Sequence, residues 1–286
     1  MTRIAVWGAS GFVGGALCAA AEARGWTVRR LQRSTAGALE ATALSFDSSE
    51  SRMRDAVAGV EIAYHCAGSP AANNALQHPE AAARFAGACA KAGVARLVYL
   101  GTVAVYGPRS SGEIGTGTPL AGSSTYAQSR IETERRLRVA LGDDPERLAI
   151  VRVPAVVGQG MPGTVIARFA RALAWGVFPH PGPLNASFAC VGVRRLAHIL
   201  IRVGTLEPAP AHPVLQFAEH LRWVDIARRI CESRGKRILR IRLPALGGRF
   251  AVLASTARYT DDAPRLFGND PELPSTWVDL DAAIKT

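Results

Sequence analysis

A glycine-rich run placed directly after an apolar one constrains this chain most. Ile4-Ala5-Val6-Trp7 is followed by Gly8-Ala9-Ser10-Gly11-Phe12-Val13-Gly14, and then by apolar residues at helical spacing. The order is strand, tight turn, helix start. Glycine removes Cβ clashes at a sharp turn, and a helix N-terminus presents main-chain N–H groups whose dipole favours a phosphate. In the first βα unit of a chain, such a run predicts a dinucleotide-binding loop at the edge of a doubly wound parallel sheet. The alternative is an ordinary glycine-rich βα turn, so the residues further along must decide.

Phe12, Val13, Leu17 and Ala21 predict a first crossover helix closed by Gly25, and Thr27–Leu31 a second strand. Gln32-Arg33-Ser34 follows, where the adenosine ribose of a bound dinucleotide lies. An acidic residue there suits the 2′-hydroxyl of NAD, and an arginine the 2′-phosphate of NADP. Arg33 and Ser34 occupy the position and no carboxylate follows before Glu40, so NADP is the expected cofactor. The competing view is that Arg33 is one solvated arginine among many.

A short third strand is expected over Ala43–Phe46, with Asp47 and Ser48 at its end and Asp47 placed to accept from the adenine amino group. A helix over Ser51–Ala58 leads to a buried strand within Glu61–Gly68, where Ala67 and Gly68 leave room for a flat cofactor. His65 lies inside that strand and is expected to be a satisfied core histidine. Pro79–Ala92 predicts a helix, and Ala95–Leu100 a fifth strand running into Gly101–Gly107. The Gly-, Ser-, Thr- and Pro-rich stretch 108–124 is expected to be a loop. A helix from Thr125 to about Leu141 sets Tyr126 and Arg130 at i and i+4, hence on one face.

The chain has 286 residues, 48% of them hydrophobic, enough for one large α/β unit with a smaller appendage. The expected division is a dinucleotide-binding domain over 1–160 and a mainly substrate-binding lobe over 161–286. No run of about 18 apolar residues and no leader pattern is evident, which predicts a cytoplasmic protein without a membrane partner. The five cysteines are scattered and predict small core residues and no metal site. The net charge of +11 would suit an anionic partner, yet its arginines are spread along the chain, which argues against nucleic acid and for a small anionic molecule.

The glycine loop, the strand end Gly101–Gly107 and the Tyr-x-x-x-basic helix together resemble the extended short-chain dehydrogenase/reductase family and its epimerase/dehydratase-like members. The resemblance covers most of the chain and implies a Rossmann-type fold with a smaller C-terminal substrate lobe. It puts Thr102, three residues before Val105-Tyr106-Gly107, in the family's Ser/Thr position and Tyr126 in its tyrosine position. It also implies that Pro154 and Val156 pass the nicotinamide. In the implied chemistry Tyr126 exchanges a proton with a substrate carbonyl as hydride moves, while Thr102 holds the carbonyl oxygen. A phenol needs help to ionise near neutrality, and a fixed cation beside it favours the phenolate. Arg130 stands where the family has lysine, which keeps the charge but presents a planar fork.

Other departures bear on substrate. Val103 follows Thr102 where the family's dehydratases carry an acid, and Phe188 stands where an arginine commonly grips a sugar-nucleotide pyrophosphate. An NADP-dependent carbonyl reductase or alcohol dehydrogenase acting on a small to medium organic molecule is therefore the first expectation. A nucleotide-sugar epimerase with retained NAD and a redox-silent NADP-binding regulator are the alternatives. Trp175, Phe178, Phe188 and Trp223 could line an apolar pocket or simply form core. Family members often pair through the tyrosine helix and the one before it, so a homodimer is a further expectation.

Overall fold

The computed structural model describes residues 1–34, 41–68, 78–109, 111–161, 169, 171, 173, 177–180, 186–237, 239–242 and 256–284. In chain order the elements begin with β1 (Arg3–Trp7), α1 (Phe12–Glu22), β2 (Thr27–Gln32), β3 (Ala41–Ala43) and α2 (Glu50–Val57). Next come β4 (Ile62–His65), α3 (His78–Lys91), β5 (Arg96–Thr102), a 3₁₀ turn (Val103–Tyr106), β6 (Glu113–Ile114) and α4 (Thr125–Leu141). They continue with β7 (Leu148–Val153), β8 (Ala155–Val157), β9 (Val177–His180), β10 (Ser187–Gly192), α5 (Val193–Gly204) and β11 (Val214–Gln216). The last are β12 (Glu219–Arg222), α6 (Trp223–Glu232), β13 (Leu239–Arg242), β14 (Arg258–Tyr259), α7 (Ala263–Phe267) and α8 (Thr276–Ile284).

These form two compact units. One comprises Met1–Gly107, Pro119–Val153 and Leu196–Leu215, the other Pro108–Thr118, Pro154–Arg195 and Gln216–Thr286. The first is built on a seven-stranded sheet in the order β11-β7-β5-β4-β1-β2-β3, in which the registered pairs from β3 across to β7 are parallel. The chain winds outward from β1 to β3, returns to β4 and winds the other way. That reversal opens a crevice at the carboxyl ends of β1 and β4, and it defines the Rossmann-type α/β fold that the strand and helix alternation predicted.

The strands read as they do because helices cover both faces of the sheet. Ile4, Ala5 and Val6 are fully buried, and every residue of β4 and β7 is buried, so these strands are runs of apolar residues where a half-exposed strand would alternate. Trp7, His65 and Tyr99 stand in register across β1, β4 and β5. Trp7 packs its ring against Phe85 of α3 at 4.8 Å and edge-on to Phe46 at 5.3 Å.

Two expectations need correction here. His65 is buried but not satisfied: neither ring nitrogen has a hydrogen-bond partner. The strand register turns its ring into the aromatic cluster, 4.4 Å from Trp7. Burial there pushes its pKa well below the ordinary value and keeps the ring neutral. The third strand is Ala41–Ala43 and not Ala43–Phe46. Beyond Ala43 the Ser48 hydroxyl oxygen accepts from Ser45 N–H at 3.0 Å and closes a turn, which releases Phe46 to meet Trp7.

In the second unit β10 pairs with β8 in parallel and with β12 antiparallel. Phe188 of β10 lies 4.9 Å from Trp223, and Phe169 links Trp223 to Phe178 at 4.8 and 5.5 Å. Phe178, Phe188 and Trp223 therefore take the core role, while Trp175 lies outside the described residues. The stretch 108–124 is not all loop, since β6 within it pairs with β14. Cys18, Cys89, Cys190 and Cys231 are buried and Cys66 is half-buried, all with free thiols.

Candidate functional site

The glycine loop closes the carboxyl end of β1 with three main-chain bonds. Gly8 N–H donates to Leu31 O at 2.9 Å, Ala9 N–H to the same oxygen at 3.3 Å, and Gly11 N–H to Gly8 O at 2.9 Å. Gly8 has φ +92°, and a Cβ on it would lie 2.7–2.8 Å from the backbone of Cys66 and Ala67. A Cβ on Gly14 would lie 2.1 Å from Gly8 O, so α1 can approach the loop only without one.

Gly11 is the N-cap of α1 and supplies no side-chain acceptor, and the first turn carries no acidic residue. A helix start leaves main-chain N–H groups unpaired, and these have no competing carboxylate beside them. Main-chain donors at a helix start of this kind fit the pyrophosphate of a dinucleotide, while Gly8 and Gly11 spend their own N–H groups within the loop. Arg33 and Ser34 are exposed directly after β2, Asp47 is exposed in the turn after β3, and Ser48 closes that turn. Pro154 follows β7, and Val156 on β8 faces Val191 of β10; both belong to the second unit.

The candidate proton-handling residues lie on β5 and α4. Thr102 ends β5 and caps the 3₁₀ turn, its hydroxyl oxygen accepting from Ala104 N–H at 3.2 Å. That bond uses an oxygen lone pair and leaves the hydroxyl proton free to donate. Ser124 caps α4 by accepting from Ala127 N–H at 3.1 Å, which fixes the first turn where Tyr126 sits half-buried. Arg130, 6% exposed, places its guanidinium carbon 4.9 Å from the centre of the Tyr126 ring. The i and i+4 positions are thus brought together face to cation.

What holds Arg130 was not foreseen. Its Nη1 donates to Tyr99 Oη at 3.2 Å and to the His78 ring of α3. His78 is 1% exposed, and its Nδ1 lies 2.9 Å from Thr133 Oγ1, whose own proton goes to Ser129 O at 2.7 Å. Arginine can only donate, so one ring nitrogen must accept from it; Nδ1 lies 3.2 Å from Arg130 Nη1 as well, and Nε2 lies 3.1 Å from Ala67 O, so the neutral ring offers one acceptor to the guanidinium and one N–H to the Thr133 or Ala67 oxygen. Burial, and then the charge of Arg130, push the His78 pKa down to about 3, so the ring is neutral. Burial raises Tyr99 to about 12 against the opposing pull of Arg130, which keeps it a neutral phenol. A Cβ on Gly68 would meet Arg130 Nη2 at 2.6 Å and His78 Cδ2 at 2.9 Å, so the bare backbone there makes room for the guanidinium.

One helical turn beyond Arg130, Glu134 forms a buried pair with Arg152 of β7. Arg152 Nε and Nη2 donate to the two carboxylate oxygens at 3.1 and 2.5 Å, and Nη1 donates to Tyr106 Oη at 2.9 Å. A signal for the Arg152 pair exists in the sequence. Arg152 is a charge inside an otherwise apolar strand, and a buried charge requires a partner.

Residues 4–200 match the model of the NAD dependent epimerase/dehydratase family. No curated protein matches the chain in sequence. Among solved structures, the UDP-Glc/GlcNAc 4-epimerase from Campylobacter jejuni superposes with a TM-score of 0.80 at 14% identity, covering 100% of this chain and 98% of that one. UDP-N-acetylglucosamine 4-epimerase from Bacillus cereus gives 0.76 at 17% identity, covering 100% and 96%. UDP-glucuronic acid 4-epimerase from Bacillus cereus in complex with NAD gives 0.77 at 15%, covering 99% and 98%. At these identities the likeness is one of fold. No described helix is long and apolar enough to cross a membrane.

Proposed function

The chain belongs to the NAD dependent epimerase/dehydratase family, and from that premise we propose that it is an NADP-dependent oxidoreductase interconverting a carbonyl and an alcohol. Its substrate would be a small to medium organic molecule, met by Tyr126 as proton donor or acceptor. The observation that carries this is the buried Arg130 guanidinium held against the Tyr126 ring. When bound, the dinucleotide supplies or accepts hydride.

The protein's own residues supply the rest. The α1 amides would hold the pyrophosphate, and the Arg33 guanidinium would take the 2′-phosphate of the dinucleotide. Thr102 donates its free hydroxyl proton to the substrate oxygen. Tyr126 delivers the proton to that oxygen in reduction and removes it in oxidation. Arg130 stabilises the phenolate left behind, because an opposite charge favours the ionised form.

Consumption of NADPH in proportion to product, across a panel of aldehydes and ketones, tests this activity. The competing epimerase would leave the bulk NADPH untouched, carry NAD through purification and interconvert UDP-sugars. The names of the structural neighbours favour that second activity; Arg33 and Phe188 favour the first.

Arg33→Ala is expected to weaken NADPH binding by about ten- to a hundredfold, since a hydrogen bond to a charged group contributes about 1.5–3 kcal/mol. NADH, lacking the 2′-phosphate, should bind both proteins alike in a fluorescence titration. Equal losses for the two cofactors would remove the 2′-phosphate assignment.

A further inference from the structure

We propose that His78 is a positioning residue: a neutral acceptor that holds Arg130 on Tyr126 without taking up any of its charge. This rests on Tyr126 being the acid/base group. A buried guanidinium ordinarily meets a carboxylate, because an unpaired buried charge is costly. Here, among the described residues, none lies within ion-pair distance of Arg130, whose hydrogen-bond partners are the neutral His78 and Tyr99.

The groups that face Arg130 from each neighbouring element are consistent with that. From α3 comes His78, and from β5 the Tyr99 phenol. The His65 ring of β4 lies tilted 5.0 Å from that of His78 and contributes no charge. On α4 itself, Glu134 is at i+4 and would be the natural partner, but both of its oxygens are bound by Arg152 of β7. Burial works against the charge of Arg130, and the oxygens of Tyr99 and Tyr126 more than offset it. The positive charge is left for the phenolate of Tyr126.

The hydrogen-bond chain accounts for histidine at this position. Thr133 spends its proton on Ser129 O and can only accept from Nδ1, and Ala67 O, 3.1 Å from Nε2, can only accept as well; one ring nitrogen carries its proton to such an oxygen and the other accepts from Arg130 Nη1, which is within reach of both. The neutral imidazole thus carries one donor for the Thr133 or Ala67 oxygen and one acceptor for the guanidinium on a rigid ring, with no net charge.

His78→Asn and His78→Asp test this, being alike in shape and different in charge. Tyrosinate absorbance is followed against pH in each variant, with the same variant carrying Tyr126→Phe subtracted to isolate residue 126. His78→Asp should form an ion pair with Arg130 and move appearance of the Tyr126 phenolate to higher pH than in His78→Asn. The added carboxylate neutralises Arg130, so the phenolate loses the cation that favours it. Equal titration in the two folded variants would overturn the proposal. Should either variant fail to fold, ¹⁵N spectra of wild-type histidine decide. They should show His78 carrying a single ring proton at neutral pH, and a doubly protonated imidazolium would overturn the proposal. Neither readout needs turnover, so a protein without carbonyl reductase activity can still support or refute the role of His78.

Discussion

Arg152→Met is expected to destabilise the protein by about 3–5 kcal/mol, the range for removing one partner of a buried ion pair. Arg152 and Glu134 each expose 3% of their side chains, and the guanidinium satisfies both carboxylate oxygens and the Tyr106 hydroxyl at once. Methionine fills much of the volume but leaves the carboxylate of Glu134 buried without a donor. The loss comes from that stranded charge more than from the pair itself, since desolvation offsets much of the attraction within a buried pair. The double variant Arg152→Met, Glu134→Leu should therefore recover most of the stability in urea denaturation. Failure to recover would mean that the pair matters through packing. The single variant carries a second expectation, because a freed Glu134 lies one turn from Arg130 and would compete with Tyr126 for it.

Gly14→Val is expected to abolish dinucleotide binding and to destabilise the fold by about 3 kcal/mol or more, at the upper end of overpacking effects. The clash at 2.1 Å is with Gly8 O, a backbone atom that cannot rotate away. Gly8 is itself wedged against Ala67 and bonded to Leu31, so α1 must lift from β1 and take its N-terminal amides with it. Gly15→Ala is the control. Its nearest contact would be an ordinary 3.5 Å from Ala9 O, and replacing an interior helix glycine by alanine gains roughly 0.5–1 kcal/mol. Melting curves and NADPH titration of both variants separate a steric requirement at 14 from a general intolerance of the helix.

That contrast also marks how far the sequence could be read. Gly8 to Gly14 announced the loop because a strand, a turn and a helix start leave a local pattern. The tyrosine helix, Thr125–Leu141, was legible for the same reason, and so was the contact of Tyr126 with Arg130, four residues apart on one face. His78 was not, since it is separated by 52 positions from the arginine it holds and meets it only through the packing of α3 on α4. The Glu134 and Arg152 pair likewise depends on where β7 falls beside α4. His65 sat in a strand as expected, yet its unsatisfied ring follows from the Trp7, His65 and Tyr99 register, which no periodicity encodes. The third strand was misplaced because Leu44 and Phe46 look strand-like. Their apolar character serves the core beyond a turn that Ser48 closes.

The central claim is that Tyr126 handles the proton for chemistry at a dinucleotide bound by the loop. It is tested most directly by measuring NADPH affinity and NADPH-dependent carbonyl reduction together in Tyr126→Phe. The phenylalanine keeps the ring under Arg130 and removes only the ionisable oxygen. Affinity should stay within about threefold, under roughly 0.7 kcal/mol, while turnover falls by about 10²–10⁴, the usual contribution of a positioned general acid. A Tyr126→Phe protein that reduces the carbonyl at the wild-type rate would contradict the account.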